Sequence, residues 1–564
     1  VQPLDWIKLE GLYQRLDRKA YTYDQVASFS EANPAALASP VYIDTSDRLS
    51  IQNSARLVTQ RYDIYNWRSE VSLLGQVLIY QGQHYTQKLD STANQDGADF
   101  FPGDINQVTH SHPSSTSHEV RLQNGERIAG MFDYVVGYFH NKNNAPTELT
   151  SPTILGRPVT ATSGALFNIV KTPIERAGTS VEKSFFGNVT AHLGASTEFS
   201  GGVRHIDYHS ANSLKVNGSI LPLDPTNPSL VDGQDAKKWI YSASLKHNFT
   251  PDLMVYVGTG SSWRPGINAV GDFSLSKSAL ERSFLNLPAE SSKSYEAGIK
   301  STMLGGKLTA NLSVFHQKFK GYPYRVPGSG VYYENYSLVS GAVVPSVGSF
   351  NFVAAVPVTV NGVEGNVNFE IMDGWSVNVV AAYSLGKIKN GTVPCNDLNK
   401  DGKPDVVTSA PSLAQLQAVV GANRLSACQV SQRSAFQSPF SATVTSEYQF
   451  AVSDHVNGYL RGLLNYNGSS QTDPTNIYDD VDAYGLLNLY AGIREPGGAW
   501  EVSLYAKNVL DTTKTLSRTH PLFTSYRNIL AGGAATTYTS TYTGVSTNAP
   551  REFGINVRYA FGSR

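Results

Sequence analysis

Charge is scarce in this chain. Asp, Glu, Lys and Arg make up only 16% of its 564 residues, and the formal net charge is -1. Such a chain has no basic field to steer a nucleic acid, and none is expected as a partner. Long hydrophobic runs are missing too: no stretch of about 18 apolar residues occurs, which excludes a transmembrane helix. The two cysteines are too few for a disulfide-built scaffold. Helical periodicity is rare, and Leu413 to Ala427 is the one stretch that reads as a helix. The first residues, Val1-Gln2-Pro3-Leu4-Asp5-Trp6, show no charged start, apolar centre or cleavage site. A soluble chain of this length ordinarily divides into domains, yet no linker or block of like charge interrupts it. No P-loop, dinucleotide fingerprint, H-E-x-x-H or G-x-S-x-G pattern is present, and no Ser/His/acid set stands out. Nothing in the residues marks an enzyme or requires a cofactor.

Glycine (48) and tyrosine (31) are plentiful, and many segments alternate apolar and polar residues with a period of two. Trp500, Val502, Leu504 and Ala506 share one face, against Glu501, Ser503, Tyr505 and Lys507. Phe553, Ile555, Val557, Tyr559 and Phe561 oppose Gly554, Asn556, Arg558 and Ala560. Leu308, Ala310, Leu312 and Val314 oppose Thr309, Asn311 and Ser313. Val456, Leu460, Leu464 and Tyr466 oppose Asn457, Arg461 and Asn465. The run from Trp375 follows the same rule until Val380 breaks its polar face. Strict alternation suits a strand with lipid on one side and a polar lumen on the other. An arginine on the lipid face near the midplane would cost about 2–4 kcal/mol, and the alternation turns Arg461 and Arg558 inward. Aromatics near the ends of the runs, among them Trp67, Phe185, Trp239 and Trp375, suit interfacial girdles, although any strand favours aromatics.

Connections between these runs alternate, tight then long. The tight ones fall at Leu74-Gly75, Asn124 to Gly130, Ala195-Ser196, Pro251-Asp252, Gly305-Gly306, Asp373-Gly374, Asp454 and Gly498. Long polar stretches lie between, such as Tyr383 to Ser441 and Gly468 to Asp482. Such asymmetry is expected of an outer-membrane barrel, with short periplasmic turns and long extracellular loops. The fold class expected is therefore all-β: one large antiparallel transmembrane barrel over residues 1–564, with about eighteen strands. All the tight turns should share one rim.

Several segments, in this order, resemble TonB-dependent outer-membrane receptors. They are Glu119 to Leu122 with Phe132 to Phe139, Ser292 to Lys300 leading to Gly306 to Phe315, Leu504 to Asp511, and Arg551 to Phe561. The last also resembles the signal read by the outer-membrane assembly machinery, with Gly554, Val557, Tyr559 and Phe561 suitably spaced. The resemblance implies a barrel of about 22 strands in the outer membrane of a Gram-negative bacterium. It further implies uptake of a scarce small-molecule ligand, such as a siderophore-iron complex, cobalamin or oligosaccharide, driven by the TonB energy-coupling complex. In the family an N-terminal plug fills the barrel. Here Val1 to Gln14 already reads as a barrel strand, so the chain is expected to be the C-terminal part of a receptor barrel. Its first strand (near Ile7 to Tyr13) and last (near Phe553 to Phe561) should then not pair. A passive porin or substrate-specific channel is the alternative.

Local motifs supply candidate sites. Asp397-x-Asn399-x-Asp401-Gly402-Lys403-x-Asp405 matches the first part of a calcium loop, with the Lys403 carbonyl among the ligands. Thr408 stands where a bidentate acid is expected, and an acidic turn that binds nothing fits the same residues. Structural calcium is the one cofactor considered. Cys395 and Cys428 fall in one extracellular loop, where a disulfide is expected. Tyr322, Tyr324, Tyr332, Tyr333 and Tyr336 crowd one loop, and Tyr526, Tyr538 and Tyr542 another. Tyrosines grip ligands by stacking and hydrogen bonding; loop packing is the competing explanation. His110, His112 and His118 could bring imidazoles together for a metal, but Pro113 and the serines around them suit an ordinary polar loop.

Overall fold

Eighteen antiparallel strands form the wall in the computed structural model of the chain, which describes residues 2–157, 166–216, 229–267, 276–325, 330–339, 342–405, 407, 410–471, 480–528 and 534–561. In order they are β1 (Ile7–Thr22), β2 (Arg56–Leu73), β3 (Gln76–Asn94), β4 (Ser114–Asn124), β5 (Phe132–Asn144) and β6 (Leu166–Leu193). Next come β7 (Thr197–Val216), β8 (Ser229–Thr250), β9 (Leu253–Arg264), β10 (Glu290–Met303), β11 (Leu308–Arg325) and β12 (Val353–Met372). The last six are β13 (Trp375–Ile388), β14 (Phe440–Ser453), β15 (Val456–Asn467), β16 (Tyr484–Arg494), β17 (Trp500–Lys507) and β18 (Glu552–Tyr559). Each pairs with the next in the sequence, and no ladder joins β1 to β18 among the described residues.

Alternation explains which way each strand faces. Val203, Val257, Leu312, Leu460, Leu504 and Ile555 all stand exposed on one surface of the wall. A continuous apolar face of this extent is untenable in water and suits lipid. Opposite them the polar residues pair across the lumen face: Glu447 meets Arg461 at 2.5 Å, and Arg204 meets Glu182 at 2.6 Å. Arg461 thus faces inward, as the alternation requires.

The tight turns share one rim. Strand order alone puts Leu74-Gly75, Asp252, Gly305, Asp373-Gly374, Asp454 and Gly498 at the same end. Backbone bonds then link each turn to its neighbour, as from Gly125 N–H to the Gly75 carbonyl and from Gln449 N–H to the Gly374 carbonyl. Leu74 and Gly75 both have positive φ, 54° and 70°. That pair makes the mirror-image hairpin turn whose twist matches the strands, and it favours glycine at the second position.

Two features depart from the sequence expectation. Strands run on beyond the membrane, so β13 reaches Ile388 rather than ending near Tyr383, and β6 is 28 residues long. The helix begins where expected, at Leu413, but ends at Val420. Ser412 and Gln415 cap its start reciprocally, and Gly421, with φ 51°, stops it. The remainder of that stretch enters a short strand, Ser426–Val430.

Candidate functional site

The lumen wall carries a connected ionic network. Glu447 on β14 accepts from Arg461 on β15 (2.6 Å) and from Arg494 on β16 (2.7 Å). Arg494 also donates to Gln449, and the two guanidinium groups lie 5.3 and 5.0 Å from the Tyr459 ring centroid. The Tyr459 hydroxyl donates to Glu501 on β17 (2.6 Å). Inward register positions on four successive strands place these groups together. A cavity of about 610 Å³ opens beside them, lined by Lys307, Thr309, Asn368, Asn378, Glu447 and Arg461. A second, of about 560 Å³, lies on the wall of β1 to β5 beside Glu10, Arg68, Gln81 and Glu119. Carboxylates and guanidinium groups paired in this part of the wall present a polar surface to a solute.

Above β9 to β14 the outer loops fold into one apolar module. Its core includes Phe284, Tyr324, Val331, Tyr333, Phe352, Val356, Ile388 and Leu425, drawn from three loops and the strand ends that carry them. Cys395 and Cys428 form the expected disulfide, with Cα atoms 5.8 Å apart, and join the paired strands Gly391–Cys395 and Ser426–Val430. Two candidate ligand tyrosines, Tyr324 and Tyr333, lie inside this core and offer no face to a solute; Tyr324 accepts from Gln432 through its hydroxyl (2.6 Å). Tyr322 packs against the core in a T-shaped contact with Phe319. Tyr332 is partly buried, and burial holds its hydroxyl above the ordinary tyrosine range. Tyr336 donates to Glu334 and receives Arg424 over its ring at 4.3 Å. Packing, the competing explanation, accounts for Tyr324 and Tyr333.

The turn at Asp397 to Asp405 is compact. Asp397 accepts from the N–H groups of Asp401 and Gly402, Asn399 from Asp401, Asp401 from Lys403, and Asp405 from Leu398 and Asn399. Each carboxylate turns onto a nearby amide, the local bonding that short acidic side chains favour in turns. Among the described residues no group of three or more His, Cys, Asp or Glu side chains gathers as a metal would require. Thr408 lies outside the described residues.

A second module joins the loops after β1, β3, β5 and β17. The strand Val26–Ser28 pairs with Ala534–Thr547, joining the loop after β1 to the loop after β17. Phe101, Ile105, Ile154 and Tyr526 form its apolar centre, and Tyr538 stacks on Phe100 at 4.2 Å. Tyr542 donates to the Val41 carbonyl (2.7 Å). Asp96 is fully buried, accepting from Phe100 N–H (2.9 Å), Phe101 N–H (2.6 Å) and the Thr524 hydroxyl. The histidines do not converge: His110 bonds Asp90 (2.6 Å), whereas His118 bonds the Tyr80 hydroxyl on another strand.

The lumen network and Asp96 escaped sequence reading. Alternation marked Arg461 and Glu501 as inward, which is the only sequence signal for the network. Nothing near Asp96 in the chain points to Thr524.

The TonB-dependent receptor-like β-barrel family matches residues 8–509. Among solved structures, the ferric yersiniabactin uptake receptor FyuA of Yersinia pestis superposes with a TM-score of 0.64 at 14% identity, covering 99% of this chain and 68% of that one. The ferric-catecholate import receptor Fiu of E. coli gives 0.63 at 14% identity, covering 98% and 72%. The siderophore receptor PiuA of Acinetobacter baumannii gives 0.58 at 13% identity, covering 98% and 71%. The family is one of transport receptors of the Gram-negative outer membrane, and this chain, with its eighteen-strand wall, apolar outer face and polar lumen, belongs to it.

Proposed function

We propose that the chain forms the wall and outer loops of a receptor that takes up a ferric siderophore by TonB-coupled transport. The observation that carries this reading is the pair of folded loop modules standing over a polar, internally paired lumen. A passive pore needs open access, whereas a receptor for a scarce solute needs a structured mouth that holds it. The solved structures most similar in fold include receptors for ferric yersiniabactin and ferric catecholates, which is the reason to choose iron complexes over cobalamin or oligosaccharides. The family's plug would fill the lumen against the network of Glu447, Arg461 and Arg494, and the TonB complex would act through that plug. No catalytic step is assigned to the chain.

The test is growth of a siderophore-dependent host carrying this receptor under iron limitation, with and without an energised TonB complex. Uptake is expected only with TonB. Equal uptake in its absence would establish a passive channel instead.

A further inference from the structure

We propose that the periplasmic rim of the wall is a site of reversible methionine oxidation, and that sulfoxide formed there loosens the rim while the loop modules stay inert. The chain's sulfur lies in four methionines and two cysteines. Cys395 and Cys428, in the outer loops, are bridged to each other and only 2% and 1% exposed. Neither loop module contains a methionine. All four methionines lie at the opposite end of the molecule. Met131 follows the turn from Asn124 to Gly130, Met254 is the second residue of β9, Met303 ends β10 and Met372 ends β12. Each thus adjoins a tight turn of the common rim, and the short turns of such barrels face the periplasm.

Exposure separates the four. Met131, Met303 and Met372 are 40%, 42% and 48% exposed. Met254 is half-buried, opposite Lys300 in the ladder between β9 and β10. All the readily reached sulfur of the molecule therefore stands on one rim.

The surroundings make a change of polarity there consequential. Met303 leads into Leu304 and Gly305, whose φ angles are both positive, 55° and 65°. Met372 is the direct partner of Trp375 across its hairpin and follows the exposed Ile371. These two turns are tied together: Glu370 N–H donates to the Lys307 carbonyl (2.8 Å), and the Lys307 ammonium lies 3.5 Å from Asp373. In the third turn Met131 N–H donates to the Ile128 carbonyl (3.0 Å), and the Met131 carbonyl accepts from His192 N–H (2.8 Å). A thioether is apolar and adapts to such an edge, whereas a sulfoxide is polar and draws the side chain toward water. Each oxidation therefore pulls a strand end away from the apolar band and frays its turn.

The oxygen comes from a two-electron oxidant of the peroxide or hypohalous acid class. With hydrogen peroxide, the S–O bond forms as the O–O bond breaks. Sulfur gives up two electrons, and the other peroxide oxygen leaves as water. Reductases specific for each sulfoxide epimer reverse the step. A dithiol becomes a disulfide, and the sulfoxide oxygen leaves as water.

The test uses the intact receptor in lipid nanodiscs, hydrogen peroxide as the probe, and peptide mass spectrometry with amide exchange as readouts. Oxygen should appear on the peptides of Met131, Met303 and Met372, with Met254 lagging. Exchange in the turns at Gly130, Gly305 and Asp373 should quicken about tenfold, and exchange in both loop modules should stay as it was. Treatment with the reductases and their dithiol should restore the turns. The variant M131L/M303L/M372L, which keeps apolar side chains of similar volume, should fold like the parent and show no quickening under peroxide. Equal quickening in that variant overturns the proposal, because another group would then be the target. So does oxidation that begins at Met254 or in the loops, or sulfoxide on all three residues with exchange in the turns unchanged.

Discussion

Over β9 to β14 the loops bury a continuous apolar core closed by a disulfide, whereas over the first and last strands they meet through strand ladders and buried polar groups. In the first module Phe352, Val356 and Leu425 need only be apolar and of suitable size. In the second, Asp96, Ser28, Thr524 and Thr543 are all fully buried, and each needs its own partner. Ser28, for instance, accepts from Ile43 N–H (2.9 Å). An apolar core tolerates small rearrangement, while a buried polar network loses a full desolvation cost when one member goes. The first module, apart from its buried Glu281 and Glu334, should therefore yield mainly to lost volume or a lost crosslink. The second should be sensitive to single polar substitutions and to protons.

Phe352→Ala should open the first module most, at about 3–5 kcal/mol, seen as faster local amide exchange with the wall strands unchanged. Asp96→Ala should cost the second module about 3 kcal/mol, because Phe100 N–H, Phe101 N–H and the Thr524 hydroxyl lose their acceptor. If Asp96→Ala proves as harmless as a surface change, the contrast between the modules fails. Replacing both cysteines by serine should cost about 3 kcal/mol, since the bridge closes a loop with a sequence separation of 33. Proteolysis between Cys395 and Cys428 would report it, and the second module should stay intact.

The next expected effect is a pH dependence of the second module. Burial holds the His520 imidazole below its ordinary value, so the folded module keeps it neutral. As pH falls below about 6.5, the unfolded chain takes up the proton first, and the module loses stability until the folded value is reached. Above that window it contributes no slope. His520→Gln should flatten amide exchange of this module between pH 7 and pH 5, and an unchanged slope would show that another group titrates. Calcium is the smallest effect: if the turn at Asp397, Asn399, Asp401 and Asp405 takes the ion, millimolar calcium should raise the first module's stability by about 1 kcal/mol. Unaltered thermal stability would leave the turn closed by its own amides.

The wall was almost fully legible, and the loops were not. Period-two alternation and eight tight turns gave the strand number, the facing of Arg461 and the common rim, because a membrane strand must satisfy lipid and lumen residue by residue. The disulfide was legible because two lone cysteines share one loop. The surroundings of Tyr324 and Tyr333 were not legible, because a tyrosine looks the same in sequence whether its ring is exposed or packed in a core with Phe352. The helix stops short of Ala427 because Gly421 takes a positive φ that ends it, a glycine stop that the apolar periodicity does not show. Strand ladders within the loops, such as Val26–Ser28 on Ala534–Thr547, join segments too far apart for any local pattern to reveal.

By itself, then, the sequence determined the architecture, the membrane and the family, since hydrogen bonding and lipid constrain every wall residue locally. Tertiary structure alone decided how distant loops share a core and which buried carboxylate meets which hydroxyl. Those outcomes depend on register between strands, and register is fixed only when the whole wall pairs.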